Sequence, residues 1–243
     1  MTPEILYQDD HLVAVRKPPG IHVHRTRLTP GEPGFTEIVE TFLNKRLFPV
    51  HRLDRPTSGL LVFALDAAAA SVLGRHWRER VVEKVYHAVL RGWLEGPVTV
   101  EKPVRRERKE PAVLDALTLF NPLEFWEPAW PRRDFATLRL SLVEIRPHTG
   151  RRHQIRQHAR DLFHPVLGDT IWGDTALNNF VRERSSLDRL CLFCRRLSFP
   201  HPATGELLLL EAPETAEESL LFESLRGGGA ERDEKSFINS SLN

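Results

Sequence analysis

Short stretches in which apolar and polar positions alternate, each closed by a turn-forming group, recur along most of the chain, while helical spacing is confined to a few segments. Residues 5–7 and 12–17 read as the arms of a hairpin around Gln8-Asp9-Asp10-His11, and Pro18-Pro19-Gly20 stops the second arm because proline has no N–H for a ladder. Ile38, Val39, Phe42, Leu43 and Leu47 recur at helical spacing and predict a helix over 35–47. Residues 60–65 (LLVFAL) form a continuous apolar run, the pattern of a buried strand, and the alanine-rich stretch 66–80 predicts a helix with Asp66 as its N-cap. Residues 84–94 alternate like a strand, and 103–134, rich in proline and charge, predict strands joined by irregular loops. The clearest strand is 136–145, with Leu138, Leu140 and Leu142 on one side against Arg139, Ser141 and Val143 on the other. After a turn at Thr149-Gly150, Ile155, Ala159 and Leu162 mark one face of a helix; residues 190–199 and 207–212 read as late strands and 213–225 as a closing amphipathic helix. The predicted class is α+β, mainly sheet with helices packed on it.

Composition keeps this picture and narrows the setting. The 243 residues are 41% hydrophobic and 28% charged, which suits one globular domain and excludes a disordered or fibrous chain. We expect that domain over residues 1–225 and a polar, disordered tail over 226–243, beginning at Gly227-Gly228-Gly229. No apolar run approaches the roughly 20 residues of a membrane span, and the first ten residues lack a signal-peptide layout, so a cytoplasmic protein is expected. Cys191 and Cys194 form a single CxxC without partner ligands and read as ordinary strand residues.

Charge is uneven. Residues 211–243 hold eight acids and three bases, which leaves the preceding body basic although the net charge is only +1. Residues 146–160 contain five Arg and three His with no acid, a composition suited to phosphate oxygens. On a helix across 151–161, Arg152, Arg156 and Arg160 would share a face at four-residue spacing. His148, His153 and His158 are five apart and do not, which argues against a metal site. Residues 102–109 form a second basic cluster.

The densest polar loop is His51-Arg52-Leu53-Asp54-Arg55-Pro56-Thr57-Ser58-Gly59, set directly before the apolar run. Asp54 lies between Arg52 and Arg55, which favours an ionised carboxylate able to act as nucleophile or base, although an aspartate in a turn is far more often a cap or an Asx-turn. A GxSxG elbow, a kinase signature and a phosphate loop are all missing.

HRLDRPTSGLL resembles the catalytic motif of the RluA group of pseudouridine synthases, in which the Asp of HRLD is catalytic. Residues 83–92 (EKVYHAVLRG) resemble the second motif of that group and residues 147–159 (PHTGRRHQIRQHA) the third. HPVLGDTIWGD and LSFPHPATGE follow in the expected order, so the resemblance covers about residues 4–213. It implies a bent mixed or antiparallel sheet with flanking helices and a central cleft. It implies further that Asp54 is catalytic, that Tyr86 lies against the target base, and that Arg156 pairs with Asp54. Arg52, Arg55, Thr57, Arg151, Arg152, His153 and Gln154 are expected to contact substrate, and no metal or cofactor is implied. His22, His24, Arg25, Lys17, Arg105 and Arg106 are further candidates for RNA contact. Within the group the chain is most similar to the TruC branch, which implies action on tRNA at uridine 65 of the acceptor stem; a ribosomal RNA substrate, a silent RNA-binding protein and a carboxylate-dependent hydrolase are the alternatives, and a monomer is expected. The chain departs from the group at Leu192-Phe193-Cys194, where Leu-His-Ala is usual.

Overall fold

The computed structural model describes residues 1–25, 31–106 and 111–227. The predicted hairpin is β1 (Glu4–Gln8) and β2 (Leu12–Lys17), antiparallel. Helix α1 (Phe35–Leu43) stops short of residue 47 because Asn44 takes a left-handed conformation (φ 49°), yet Leu47 is still buried in the core behind it. The short strand β3 (Phe48–Pro49) leads into β4 (Ser58–Ala64), in which every residue is buried. Helix α2 (Ala67–Arg78) is capped as expected, the Ala69 amide donating to the Asp66 carboxylate at 2.8 Å.

Strand β5 (Glu83–Arg91) is followed by β6 (Val98–Glu101), β7 (Val104–Arg105), β8 (Ala112–Leu114) and the long β9 (Leu117–Trp126). Strand β10 (Leu140–Pro147) starts later than the alternation predicts and runs two residues further. Ser141 and Val143, expected on an outer face, are as buried as the leucines between them. The reason is that β10 lies between β5 and β9 and is covered on both sides. The Ser141 hydroxyl is satisfied by giving a hydrogen bond to the Gly92 carbonyl and taking one from the Leu94 amide.

The remaining elements are α3 (Gln154–Asp161), α4 (Thr175–Arg182), β11 (Leu192–Pro200), β12 (Leu207–Glu211) and α5 (Ala216–Arg226). Helix α4, capped by Asp174, has no counterpart among the sequence expectations. Helix α5 opens on a reciprocal cap between Thr215 and Glu218, runs to Arg226 and is closed by Gly227 in the left-handed region (φ 64°). The rest of the expected tail, 228–243, lies outside the described residues.

Ten strands make one sheet along the path β1-β2-β4-β11-β5-β10-β9-β6, with β3 and β12 attached to β4 and β11; β7 and β8 pair separately. Every pairing in it is antiparallel except β4 with β11, where Phe193 faces Ser58 and Cys194 faces Gly59. That junction is tight: Gly59 has φ 106°, and a Cβ on it would lie 2.2 Å from the Cys194 carbonyl oxygen. One side of the central strands packs α4 and α5 through Leu140, Leu142, Phe193 and Phe222. The other packs α3 through Ala88, Val143, Ile145, Ile155 and Ala159. This is the α+β sheet with flanking helices that the sequence predicts. Among the described residues no helix is long and apolar enough to cross a membrane.

Candidate active site

The loop between β3 and β4 divides its residues by direction. The His51 ring is stacked on Trp77 at 4.6 Å and accepts the Val62 amide at 2.9 Å, and Leu53 is buried in the core. These two anchor the segment, while Arg52 and Asp54 line a cleft of about 260 Å³. From below, the fully buried Lys17 ammonium donates to the carbonyls of Pro18, Arg55 and Thr57 at 2.8, 3.1 and 2.9 Å. Burial pulls the Lys17 pKa down to about 7, against the attraction of the Asp54 charge. Lys17 is thus a strut under the loop and not the RNA contact the sequence suggested.

Across the cleft, the segment 147–156 supplies the opposite wall. Helix α3 begins only at Gln154, because His153 before it is left-handed (φ 53°). Arg151 and Arg152 therefore precede the helix at the cleft rim, and the expected stripe of Arg152, Arg156 and Arg160 on one helical face does not form. Arg156 points inward and is 2% exposed. Its Nη1 donates to Asp54 Oδ2 at 3.3 Å, and its Nε and Nη2 donate to the two carboxylate oxygens of Asp169 at 2.7 Å each. Asp169 in turn accepts the amides of Ile171 and Trp172. Burial alone would raise the Asp169 carboxyl, but the Arg156 hydrogen bonds and charge outweigh it and hold the pKa below the ordinary value. The same pairing outweighs burial at Arg156 and keeps the guanidinium charged.

Asp54 is left with Oδ1 unpaired among the described residues and its side chain 17% exposed toward the cleft. A carboxylate so oriented can attack an electrophilic carbon or take a proton from a bound ligand. His153 Nε2 stands 3.8 Å from Asp54 Oδ2, with its Nδ1 accepting the Trp172 indole N–H at 3.0 Å. Burial lowers the His153 pKa, against the pull of the Asp54 charge. Asp169 is a second carboxylate close by, but with both oxygens held by Arg156 it cannot activate water as a hydrolase partner would.

Tyr86, half-buried on β5, forms part of the cleft floor beside Lys84. Burial first, and then the hydroxyl–thiol contact with Cys194 opposite it, raise the Tyr86 pKa well above 10, so the phenol stays protonated. Burial lowers the Lys84 pKa. The Leu192-Phe193-Cys194 departure is now physical: Cys194 sits against Tyr86, and Phe193 points to the other face, edge-on to Phe222. Both cysteines are free and buried, with thiols pushed up to about 12.

Of the residues expected to contact substrate, Arg52, Thr57, Arg151, Arg152, His153 and Gln154 all line the cleft. Arg55 does not; its Nε donates to the Gly20 carbonyl at 2.8 Å and ties two loops together. Gln154 lines the wall with its amide committed: Nε2 donates to the Leu117 carbonyl and Thr118 hydroxyl, and Oε1 accepts from Thr149 and the Arg151 amide. Thr57 is buried, and its carbonyl serves Lys17. Arg25 is paired with Glu37, Lys102 with Asp161, and the end of the second basic cluster, 107–109, lies outside the described residues. Burial lowers the His22 and His24 pKa values, and Arg105 is bonded through its backbone to Gln157. Sequence reasoning missed Asp169 and Lys84 although both stand inside recognised motifs; a lone acid after Gly168 and a strand lysine carry no pattern of their own. Among the described residues no group of His, Cys, Asp and Glu is arranged to hold a metal ion.

A family model described as RNA pseudouridylate synthase matches residues 11–161, which include the Asp54 loop, Tyr86 and Arg156. The tRNA pseudouridine synthase C of Vibrio cholerae is 40% identical over 219 residues, covering 86% of this chain and 90% of that protein. The protein of the same name from Haemophilus influenzae is 40% identical over 221 residues, covering 86% and 92%. Among solved structures, human RNA pseudouridylate synthase domain containing 1 superposes with a TM-score of 0.71 at 26% identity, covering 89% of this chain and 86% of that one. Human RNA pseudouridylate synthase domain containing 4 gives 0.70 at 25%, covering 92% and 93%. A cleft with an accessible aspartate, steadied by a buried arginine and rimmed by bases, thus lies within a fold and a sequence that agree: the chain belongs to the RNA pseudouridylate synthase family.

Proposed function

We propose that this enzyme converts a uridine of tRNA, position 65 of the acceptor stem, to pseudouridine, with Asp54 as its catalytic carboxylate. The observation that carries the residue assignment is Asp54 itself, with one oxygen held by Arg156 at 3.3 Å and its partly exposed carboxylate in the lining of the cleft. The two bacterial relatives, both named for tRNA, support the substrate class. The resemblance to the TruC branch supports the position. The cavity, about 260 Å³, is at the small end of ligand clefts and suits one extruded nucleotide better than a stretch of duplex.

The isomerisation breaks the C1′–N1 bond and forms a C1′–C5 bond; the proton lost from C5 is matched by one gained at N1, so no oxidant, reductant or cofactor enters the balance. Asp54 acts on the ribose, by attack on C1′ or by removal of a ribose proton, and Arg156 holds its charge in place. Tyr86 lies under the base, where stacking offsets part of the cost of extruding it, and its protonated phenol stands ready near C5. Arg52, Arg151 and Arg152 at the rim meet backbone phosphates. Thr57, Gln154 and Arg55 serve by holding the walls. The described chain supplies both walls of the cleft, which supports action as a monomer, and a tRNA substrate supports a cytoplasmic setting.

The test is to incubate unmodified tRNA transcripts and ribosomal RNA with the parent protein and with Asp54→Asn, then map pseudouridine by carbodiimide-dependent primer-extension stops. A stop at position 65 with the parent and none with the variant is expected. A stop only in ribosomal RNA overturns the substrate, and a persistent stop with Asp54→Asn overturns the residue.

A further inference from the structure

Helix α3 leads from the cleft to the outer surface and ends on an unusual residue. Its last turn closes with the His164 amide donating to the Ala159 carbonyl at 3.0 Å and the Phe163 amide donating to the Arg160 carbonyl at 2.8 Å. This is a Schellman ending, whose left-handed position is normally glycine. Here that position is Phe163, with φ 63° and 80% of its surface exposed. Asn44, Arg80, Arg133 and His153 are the other non-glycine residues described with positive φ, so Phe163 is the one apolar side chain among them. A phenylalanine there works against both its backbone preference and the hydrophobic effect.

Among the described residues no packing partner accounts for the ring, which is largely exposed. The local carbonyl is held from outside, Arg91 Nη2 donating to the Phe163 oxygen at 3.0 Å, and Arg91 is itself fixed by Asp174. Arg91 thus ties the turn to β5 through the backbone, and the ring takes no part in the tie. Its surroundings are basic and continuous with the cleft: Arg160 lies over Trp172 at 4.8 Å, and the Trp172 indole bonds His153 in the cleft wall. The nearby acids Asp161 and Asp174 are paired with Arg160 and Lys102 and with Arg91, which leaves three cations against two acids around the turn. An exposed aromatic ring on a turn tied down through its backbone, beside guanidinium groups and roughly 12 Å of helix away from the cleft, suits a nucleic-acid base a few nucleotides from the reacting one.

We infer that Phe163 is a second RNA-binding point, a stacking platform for an unpaired or terminal base of the substrate, outside the catalytic cleft. The inference rests on the tRNA reading above. Left-handed strain and exposure make its test sharp, because glycine at this position relaxes the backbone while removing the ring. Phe163→Gly is expected to keep or raise the Tm and to weaken binding of unmodified tRNA about five-fold or more; Phe163→Trp is expected to bind as the parent does. Affinity is measured directly by filter binding, so it reports on Phe163 whether or not the tRNA is turned over. A parent that binds tRNA without forming pseudouridine would overturn the functional reading and leave the Kd ratio to decide this one. An unchanged Kd in Phe163→Gly overturns the inference, and so does a fall in both Tm and affinity, which would make the ring a packing element.

Discussion

The arrangement Asp54–Arg156–Asp169 is unequal, and that inequality predicts two opposite phenotypes from two similar substitutions. Asp169 is fully buried, accepts two hydrogen bonds of 2.7 Å from Arg156, and is itself held by two backbone amides. Asp169→Asn keeps the shape but leaves a buried guanidinium without its main counter-charge. Breaking a buried pair from one side costs about 3–5 kcal/mol. For a domain of this size each kcal/mol moves the Tm by roughly 2–4 °C, so the loss should be about 6–20 °C. Asp54 is partly exposed and makes one 3.3 Å bond to an arginine that is already paired. Asp54→Asn leaves the two shorter bonds of Arg156 in place and should therefore shift the Tm by no more than about 4 °C, in line with the roughly 1 kcal/mol net worth of one long hydrogen bond. Calorimetry on parent and both variants at pH 7 reads these shifts, and pseudouridine formation is measured well below the lowest Tm. Asp169→Asn should retain weak activity, since Arg156 is loosened and not removed; Asp54→Asn should retain none. The Asp169 carboxyl is held below its ordinary pKa, so its contribution is present at neutral pH and is lost as pH falls through the folded-state value. The gap between parent and Asp169→Asn should narrow over the same range. A Tm for Asp169→Asn within 2 °C of the parent, or a larger loss from Asp54→Asn, would refute the reasoning.

Two further predictions concern the support of the Asp54 loop. Gly59→Ala places a Cβ 2.2 Å from the Cys194 carbonyl at a left-handed position, so the β4–β11 junction must open; urea titration should show a loss above about 2 kcal/mol, and a loss under 0.5 would contradict the junction. Burial, with the Lys84 charge behind it, presses His51 down to about 3, against an unfolded value near 6.5. Because the unfolded chain takes the proton first, this group lowers stability as pH falls from 6.5 toward 3, by up to roughly 1.4 kcal/mol per unit. His51→Gln should flatten that acid limb in urea titrations at pH 4 to 6, and an unchanged slope would contradict the assignment.

Local pattern accounts for much of what was legible in the chain. The apolar run at 60–65 is a strand buried on both faces, Asp66 caps its helix, and the helical face of Ile155, Ala159 and Leu162 packs on the sheet. Asp54 and Arg156 emerged through motifs, and the fold brings them together from 102 residues apart. What escaped depends on partners that only tertiary structure supplies. Lys17 looks like a surface base, yet three convergent carbonyls make it an internal strut. Asp169 has no distinguishing neighbours in sequence, and its meaning comes from the guanidinium that meets it. The arginine stripe failed for a backbone reason: left-handed His153 starts the helix after Arg152. Alternation misjudged Ser141 and Val143 because a central strand covered on both faces hides its polar positions too.

Rejoining the base through C5 expels the C5 hydrogen, so release of tritium from tRNA carrying [5-³H]uridine follows the reaction itself. The parent protein should release it from one uridine per tRNA. Asp54→Asn, with its Arg156–Asp169 pair intact, should bind the same tRNA and release none; tritium release by that variant at anything near the parent rate would contradict the central role given to this carboxylate.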